Sequence, residues 1–295
     1  MVSVSGYESR IEIIVSDNAS TDDTTDIIRS FQTKYPWIRY CRNDSNIGAE
    51  ENFYHLFTLA AGDYVWLIGD DDKLEKEAVA IIIKQIDAGY NLIICNYSIW
   101  SKDFSYMKKA NGFRFACNEA FNNPDKLIKR IGYYMGYISI IIIKKDVFFK
   151  CPVSEYLYYM EYCFPQLYAA YSGIYPHCNA IYLSSPLVCN RSDNYRDIDW
   201  CKIYVVGMSK IFESLLKKGY SKNSISSAKH EVLRSIIIPG IIGHKLNNWY
   251  LPNDINRVVF RHYKKNWLFW IVGLPVLYTP VFLLRLAKKV KNLLL

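Results

Sequence analysis

The chain has 295 residues, 51% hydrophobic and 16% aromatic, which excludes an intrinsically disordered protein and suffices for a large core. Its net charge of +8 comes entirely from residues 255–295, which contain eight Lys or Arg and no Asp or Glu. The rest of the chain is electrically balanced, so the sequence predicts a neutral domain with a basic end that contacts an anionic surface. Eight scattered cysteines without a C-x-x-C pair, and no signal-peptide pattern at the start, predict reduced thiols in the cytosol.

Apolar strand-like runs alternate with amphipathic helical patterns over the first hundred residues. In chain order we predict a strand, a helix, a strand, a helix, a strand, a helix and a strand over residues 10–17, 20–35, 37–43, 49–61, 63–69, about 79–86, and 90–97. Ser20 is expected to cap the first helix, whose apolar face carries Ile27, Ile28 and Phe31. This order predicts an α/β fold with parallel βαβ units and ligands beyond the carboxyl ends of the strands.

The pattern changes after residue 97. Another strand is predicted within 136–148, and helical patterns cover 200–218 and 224–243. We therefore predict three regions: a catalytic domain over 1–198, a helical extension over 199–254 and a membrane-associating tail over 255–295.

Three consecutive carboxylates follow Gly69 at the end of an apolar strand, Asp70, Asp71 and Asp72. A solvated turn is one interpretation of such a triplet. The other is a metal site, because Asp17 also follows a strand and is expected at the same edge of the sheet. Carboxylate oxygens beside a phosphate site favour Mg²⁺ or Mn²⁺, which offsets the repulsion between the acids and neutralises a leaving diphosphate.

Two longer stretches carry a resemblance to a known family. "EIIVSDNASTDDT" and "NDSNIGAEENFYHLFTLAAGDYVWLIGDDD" resemble the GT-A fold glycosyltransferases of family 2, especially the bacterial branch of abequosyltransferase-like enzymes of surface polysaccharide synthesis. "GYISIIIIKK" and "NRSDNYRDIDW" extend the resemblance more weakly. The resemblance implies a Rossmann-like, mixed but mostly parallel sheet, here with a helical C-terminal extension. It also implies inverting, metal-dependent transfer of a hexosyl or deoxyhexosyl unit from a nucleotide-diphosphate sugar to a lipid-linked or polysaccharide acceptor, in O-antigen or capsule-type synthesis.

The resemblance also assigns roles to residues. Asp72 is the best candidate ligand for Mg²⁺ or Mn²⁺, and Asp70 is the second candidate. Contacts with the nucleotide sugar are expected from Asp17, Asn46, Gly48, Asn52, Asp70, Asp71 and Arg191. Asn52 is equally compatible with an ordinary helix position, and Arg191 with a plain surface arginine rather than a group that neutralises diphosphate charge.

Inverting transfer needs a carboxylate that removes the proton of the acceptor hydroxyl. By position after the "YISIIIIKK" strand, the resemblance points to Glu161 and, less strongly, to Glu155. Surface or helix-capping roles are the alternative for both residues.

Residues 267–284 contain no charge and are flanked by basic residues. At 1.5 Å per helical residue they would span ~27 Å, the short limit for crossing a bilayer. Pro275 and Pro280 and the basic flanks favour peripheral or re-entrant association with the inner face of the cytoplasmic membrane. A segment docked on the domain or in a dimer is the alternative, and the apolar run makes nucleic acid an improbable partner.

One departure from the family concerns the start of the chain. Family members begin with a βα unit of the type "VSIIIPTYNR", and only ten residues precede the first predicted strand here. We therefore expect the first βα unit to be absent. The alternative function is accordingly an inactive, truncated glycosyltransferase that acts only as a membrane-associated binding protein.

Overall fold

The computed structural model describes residues 4–192 and 199–293, and the chain divides into two compact units. The units comprise Met1–Pro124, Tyr134–Glu161 and Pro165–Arg196 on the one hand, and Asp125–Tyr133, Tyr162–Phe164 and Asp197–Leu295 on the other. The helical extension and the tail predicted from the sequence therefore fall in the same unit. The predicted boundary at residue 198 lies outside the described residues.

The strands belong to the first unit. Their bounds are Ile13–Asp17 (β1), Ile38–Arg42 (β2), Tyr64–Trp66 (β3), Lys73–Leu74 (β4), Leu92–Trp100 (β5), Met107–Lys109 (β6), Glu119–Phe121 (β7), Ile141–Lys144 (β8) and Ala180–Arg191 (β9). β1 and β2 form a parallel two-stranded sheet. The second sheet has seven strands in the order β3-β8-β5-β9-β4, with β6 added beside β5 and β7 beside β9. Its longest ladder, between β5 and β9, is parallel, and antiparallel pairs flank it.

Within the described residues no strand joins β1 to β3. The carboxylate of Glu12, which precedes β1, instead accepts the backbone N–H groups of Ala61 and Gly62, which precede β3, at 2.6 and 2.9 Å. The expectation that Asp17 and the aspartate triplet share one sheet edge is therefore wrong, because their strands belong to different sheets.

The core is centred on β5. Its residues Leu92, Ile93 and Ile94 are completely buried, as expected for a strand that is covered on both faces. The similar apolar run of β1, residues 13–15, is only half-buried. The difference follows from the pairing, since β5 lies between β8 and β9 whereas β1 pairs only with β2 among the described strands.

The α-helices have the bounds Thr24–Lys34 (α1), Ala49–Leu59 (α2), Ala78–Asp87 (α3), Pro124–Arg130 (α4), Lys145–Phe148 (α5), Val153–Met160 (α6), Pro165–Gly173 (α7), Met208–Lys218 (α8), Lys222–Val232 (α9), Ile238–Asn247 (α10), Ile255–Tyr263 (α11), Leu274–Tyr278 (α12) and Val281–Leu293 (α13). π-Helical turns at Cys201–Gly207, Leu233–Ile237 and Phe269–Gly273 lead directly into α8, α10 and α12. The predicted helices over 200–218 and 224–243 are thus confirmed.

Two expectations for α1 are wrong. The helix begins at Thr24, and the backbone N–H of Ser20 donates to Asp17 rather than Ser20 capping the helix. Its predicted apolar face is not buried, since Ile27 and Phe31 are 45% and 44% exposed.

The second unit is helical. Within the described residues no single helix is long and apolar enough to cross a bilayer. Phe269–Tyr278 and Val281–Lys289 meet the criteria of length and composition only as a pair, and this pair is bent by 111°. All eight cysteines are free thiols, as predicted.

Candidate active site

The Asp17 cluster consists of Asp17, Ser20, Tyr40 and Arg42. Asp17 ends β1 and is 3% exposed. Its Oδ1 accepts the backbone N–H of Ser20 at 2.7 Å, and its Oδ2 accepts from the Tyr40 hydroxyl at 2.6 Å and from Arg42 Nη1 at 2.5 Å. The parallel register of β1 and β2 places Arg42 directly opposite Asp17. Three of the roughly four acceptor positions of this carboxylate are therefore used within the protein.

Electrostatics keep Asp17 ionised. Burial acts to raise its pKa, but hydrogen bonds from Tyr40, Ser20 and Arg42 together outweigh burial and lower the pKa well below the usual range. The turn that brings Ser20 back to the carboxylate requires a left-handed residue, and Ala19 adopts φ 61° there. A non-glycine residue in this region carries steric strain at Cβ.

Asn18 connects the end of β1 to the loop before α2. Its Oδ1 accepts from Asn43 Nδ2 and from the backbone N–H of Ile47, both at 3.0 Å. Its Nδ2 donates to Asn46 Oδ1 at 2.9 Å and to the Gly48 carbonyl at 3.2 Å. The structure therefore brings the predicted residues Asn46 and Gly48 together beside Asp17.

Asn52, another predicted nucleotide-sugar contact, lies in α2 and is 8% exposed. Its Oδ1 accepts from Ser16 Oγ at 2.6 Å and from Asn43 Nδ2 at 3.0 Å. This amide oxygen is engaged inside the protein, where it links α2 to β1.

The Asp72 cluster consists of Gly69, Asp72, Tyr137, Ser139 and Asn190. Ser139 Oγ donates to Asp72 Oδ2 at 2.6 Å and accepts the backbone N–H of Gly69 at 3.0 Å. Asn190 Nδ2 lies 3.2 Å from Asp72 Oδ1 and 3.1 Å from the Tyr137 hydroxyl. Burial raises the pKa of Asp72, opposed by hydrogen bonds from Ser139 and Tyr137 and assisted by the neighbouring charge of Asp71. Burial also raises the pKa of Tyr137, which stays protonated as a donor.

Three oxygens converge above Gly69. A Cβ atom at this position would lie 2.7 Å from Asp71 Oδ1, 3.3 Å from Asp72 Oδ2 and 3.6 Å from Ser139 Oγ. A side chain at residue 69 would therefore displace the Asp71 carboxylate, and glycine lets it approach the backbone. Asp70, the other predicted ligand, is exposed.

This arrangement fits a divalent cation shared with a substrate. Hard oxygen donors are the ligands of Mg²⁺ and Mn²⁺, and Mg²⁺ sites commonly combine one or two carboxylates with substrate phosphates. Within the described residues no group of three or more His, Cys, Asp or Glu is arranged to hold a metal on its own. Asp71 and Asp72 supply two carboxylates beside Gly69, and a diphosphate would supply further oxygens.

The two candidate bases differ in their surroundings. Glu155 lies in the first turn of α6, where its Oε2 accepts from the buried Tyr168 hydroxyl at 2.7 Å. Glu161 is exposed and directly follows the last residue of α6. Two residues later, Cys163 leaves the helical conformation with φ 59°. Both assignments remain predictions.

Arg191 ends β9, next to Asn190. Adjacent strand residues point to opposite faces, so the two side chains diverge. The Nε of Arg191 is buried and has no hydrogen-bond partner among the described residues.

The sequence analysis missed the residues that orient the aspartates. Ser139 has a recognisable signal, since it is a hydroxyl inside the apolar run 138–143, and a buried hydroxyl needs a partner. Tyr40 and Arg42 alternate on β2 and so share a face, which could have indicated a common partner. Asn190 and Tyr137 carry no signal that specifies Asp72.

Comparisons with known proteins bear on the family and the fold. Residues 3–148 match the sequence profile of Glycosyl transferase family 2. The chain is 31% identical to the abequosyltransferase RfbV of Salmonella typhimurium over 195 residues, 62% of this chain and 58% of that protein. It is 32% identical to the GalNAc(5)-diNAcBac-PP-undecaprenol beta-1,3-glucosyltransferase of Campylobacter jejuni over 101 residues, 32% of this chain and 33% of that protein.

Solved structures show the same architecture. TarS 1-349 of S. aureus in complex with UDP-GlcNAc matches with a TM-score of 0.59 over 88% of this chain and 72% of that chain, at 14% identity. The complex of TarS 1-349 with UDP matches with a TM-score of 0.56, over 90% of this chain and 83% of that chain. The chain spans less than two thirds of the two curated relatives, 58% and 33% of their lengths. Through residues 3–148 the chain belongs to glycosyl transferase family 2, and it has the GT-A fold that its motifs predicted.

Proposed function

We propose that the protein transfers a hexosyl or deoxyhexosyl unit, with inversion, from a nucleotide-diphosphate sugar to a lipid-linked or polysaccharide acceptor of bacterial surface polysaccharide synthesis. The observation that carries the proposal is the convergence of Asp71, Asp72 and Ser139 oxygens above Gly69 in a family 2 domain. The TarS complex with UDP-GlcNAc supports a nucleotide sugar as the donor class for this fold.

In this proposal Asp72, with Asp71 or Asp70, holds Mg²⁺ or Mn²⁺. The cation supplies charge neutralisation for the departing diphosphate. Ser139 and Asn190 orient the Asp72 carboxylate through one hydrogen bond to each oxygen. Arg191 is the proposed source of positive charge for the diphosphate, and because its side chain points away from Asn190 it would have to reach the diphosphate from the other side of β9.

The Asp17 end of β1 serves the nucleoside in this proposal. Asp17 is ionised, and its carboxylate, which solvent does not reach, holds Arg42, Tyr40 and the turn at Ser20 in place beside the proposed nucleoside pocket. Asn18 fixes the loop of Asn46 and Gly48, the segment proposed to border the donor. Asn52 contributes by positioning β1 and α2.

Glu161 is the preferred general base, because it is exposed to an incoming acceptor hydroxyl. Glu155 is the second candidate, and its hydrogen bond with Tyr168 favours a role in joining α6 to α7.

The acceptor and location complete the proposal. The Campylobacter relative is named for a substrate on undecaprenol diphosphate, and we extend a polyprenyl-linked acceptor to this chain. Such an acceptor resides in the membrane, so we propose that the enzyme works in the cytoplasm at the inner face of the membrane.

The test is calorimetric titration of the full chain with UDP, CDP and GDP, each with Mn²⁺ and each with EDTA. We expect one nucleotide to bind only with Mn²⁺, and Asp72→Ala to weaken this binding at least about tenfold, because removing groups that merely support a metal already costs that much. Asp63→Ala, which changes an exposed aspartate just before β3, is the matched control and retains binding. Metal-independent binding, or equal affinity of Asp72→Ala and the unchanged chain, contradicts the proposal.

A further inference from the structure

The segment 267–278 presents one wholly apolar face to solvent. Trp267, Trp270, Ile271 and Tyr278 are 62%, 49%, 67% and 66% exposed, and Pro275 is exposed between them. Their spacing of three, four or seven residues is that of one helical face. We call these five residues the outer stripe.

The opposite face of the same segment is buried in the second unit. Phe269, Gly273 and Leu277 recur every four residues and are all buried, Phe269 and Leu277 with 0% and 5% exposure. The segment is therefore already packed on its inner side. In the outer stripe, the Trp267 ring lies 5.3 Å from that of His230 and the Trp270 indole N–H donates to the Lys264 carbonyl at 2.8 Å, and both side chains remain about half exposed or more.

The apolar surface continues into α13. Phe282, Leu283 and Leu286 are 66%, 42% and 57% exposed. The 111° bend before α13 prevents the two helices from forming one straight span. An exposed apolar surface on a bent helix pair is the arrangement expected for a segment that lies in the plane of a membrane interface.

Lys245 of α10 stabilises this bend from within the unit. Its Nζ donates to the backbone carbonyls of Val276, Leu277 and Thr279 at 3.0, 2.6 and 3.0 Å. All three N–H bonds of the ammonium are thus used at the C-terminal end of α12, where helix carbonyls lack partners and the dipole favours a cation. This part-buried contact holds the end of α12 and Thr279, directly before the bend, to α10.

The positive charge around the outer stripe indicates which partner binds there. Exposed basic residues lie on both sides of it along the chain, namely Lys264, Lys265, Arg285, Lys288 and Lys289. The chain has no acidic residue from 255 onwards. A second copy would bring the same positive charge and be repelled, whereas anionic lipid headgroups attract the lysines and the acyl boundary accepts Trp and Tyr.

We propose that the outer stripe, together with Phe282 and Leu286 of α13, is a docking surface for an anionic lipid bilayer, and that it lies in the membrane plane while Lys245 holds the end of α12. The inference deepens the proposed function and rests on it only for the acceptor that the membrane carries. Docking would bring the enzyme to a polyprenyl-linked substrate without a transmembrane helix.

The test is flotation of the full chain with vesicles of phosphatidylcholine alone and of equal parts phosphatidylcholine and phosphatidylglycerol. We expect at least about tenfold stronger binding to the anionic vesicles, since each basic residue near the surface adds to the attraction. Ile271→Ser combined with Phe282→Ser is expected to reduce this binding at least about tenfold. Tyr106→Ser combined with Tyr250→Ser removes two exposed aromatic side chains elsewhere, 59% and 80% exposed, and leaves binding unchanged.

A second measurement distinguishes in-plane docking from spanning. Lipids brominated near the headgroup should quench Trp267 and Trp270 more than lipids brominated near the chain ends, and Trp267→Phe with Trp270→Phe should remove the difference. Lys245→Met is expected to weaken vesicle binding severalfold at temperatures where circular dichroism shows it folded, whereas a purely stabilising lysine would shift only the unfolding midpoint. Equal binding to both vesicle types, or stronger quenching by the deep bromines, overturns the proposal.

These outcomes are independent of catalysis. Asp72→Ala, which tests the proposed function, is expected to bind vesicles like the unchanged chain. Failed nucleotide binding with intact vesicle docking would leave this inference standing, and the reverse result would remove it alone.

Discussion

Asp17 and Asp72 both follow strands of the family 2 domain, and the protein treats their charges in opposite ways. Asp17 is almost fully buried, yet Arg42, Tyr40 and a backbone N–H lower its pKa. The donors to Asp72 in the described part of the chain, Ser139, Tyr137 and Asn190, are neutral, and burial raises its pKa. The protein therefore stabilises the charge of Asp17, whereas burial disfavours the charge of Asp72.

The difference separates two functions of an acidic residue. The charge of Asp17 stabilises the contacts that join β1, β2 and the turn at Ser20. The charge of Asp72 receives hydrogen bonds from the neutral groups of Ser139 and Asn190 and matches a metal supplied with substrate. Asp17 is therefore expected to matter first for stability, and Asp72 first for the reaction.

The largest effect is expected from Asp72→Asn. An amide keeps the size and one acceptor of the side chain but loses the charge that a cation requires, so transfer should fall at least about 100-fold. The free energy of unfolding should change by less than about 1 kcal/mol, because burial already favours an uncharged group there. Turnover of a radiolabelled nucleotide sugar and urea denaturation measure the two quantities. A large loss of stability would instead make Asp72 a structural residue.

For Asp17→Asn we expect the main effect on stability. The amide cannot satisfy Arg42, Tyr40 and Ser20 together, and the loss of hydrogen bonds to a charged acceptor should lower the free energy of unfolding by about 2 kcal/mol. Urea denaturation at neutral pH measures this change. Asp26→Asn, at an exposed position of α1, provides the control, and an equally small effect of both changes would refute the structural role.

Ser139→Ala tests how much a hydrogen-bond partner of Asp72 contributes to the reaction. The change removes the donor to Asp72 Oδ2 and the acceptor for the Gly69 N–H, so the carboxylate is less well oriented. Activity should fall about tenfold through a higher requirement for Mn²⁺, the typical cost of losing a supporting group. A titration of initial rate against Mn²⁺ tests this, and Ser30→Ala on the exposed part of α1 is the control. An unaltered Mn²⁺ requirement would show that Ser139 serves packing alone.

The free energy of unfolding should depend on pH differently in the unchanged chain and in Asp17→Asn. The pKa of Asp17 is lower in the folded state than in the unfolded chain, where it is near 4. Its stabilising contribution is therefore fully present above about pH 4 and is lost as the pH falls towards the folded value. By pH 3 the unchanged chain should lose about 1 kcal/mol more than Asp17→Asn. Parallel curves for the two proteins between pH 5 and pH 3 would contradict the assignment.

The smallest effect is expected at Ala19. Glycine adopts φ 61° without a Cβ clash, so Ala19→Gly should relieve strain and raise the free energy of unfolding by about 0.5 kcal/mol after the entropy of glycine is subtracted. Thermal unfolding compares it with Ala61→Gly, at an exposed position before β3. Destabilisation by Ala19→Gly larger than that of the control would rule out relief of strain.

The sequence predicted much of the fold because its signals are local. The apolar runs of β5 and β8 and the helical patterns over 200–218 and 224–243 are visible in short windows. The prediction of a buried apolar face on α1 was wrong for a non-local reason. Ile27 and Phe31 have the right spacing, but both side chains remain exposed. The same applies to β1, whose apolar residues remain half-buried beside a single partner strand.

The candidate site divides in the same way. The site at Gly69 and the aspartate triplet can be recognised in the sequence, because a glycine followed by consecutive acidic residues at a strand end is a local pattern. The partners of Asp72 are 67 and 118 residues away in the chain, at Ser139 and Asn190, and no local pattern specifies such pairs. The approach of the Asp71 carboxylate to Gly69 depends on how the turn is folded.

The sequence by itself determined the family, the order of strands and helices, and the positions of the acidic and basic groups. Those features depend on residue type and spacing along a continuous chain. Tertiary structure alone decided which charges are compensated, because compensation depends on distances between atoms that the chain brings together from remote positions. It therefore assigned Asp17 to Arg42, left Asp72 with neutral donors, and turned the apolar tail outwards at a bend stabilised by Lys245.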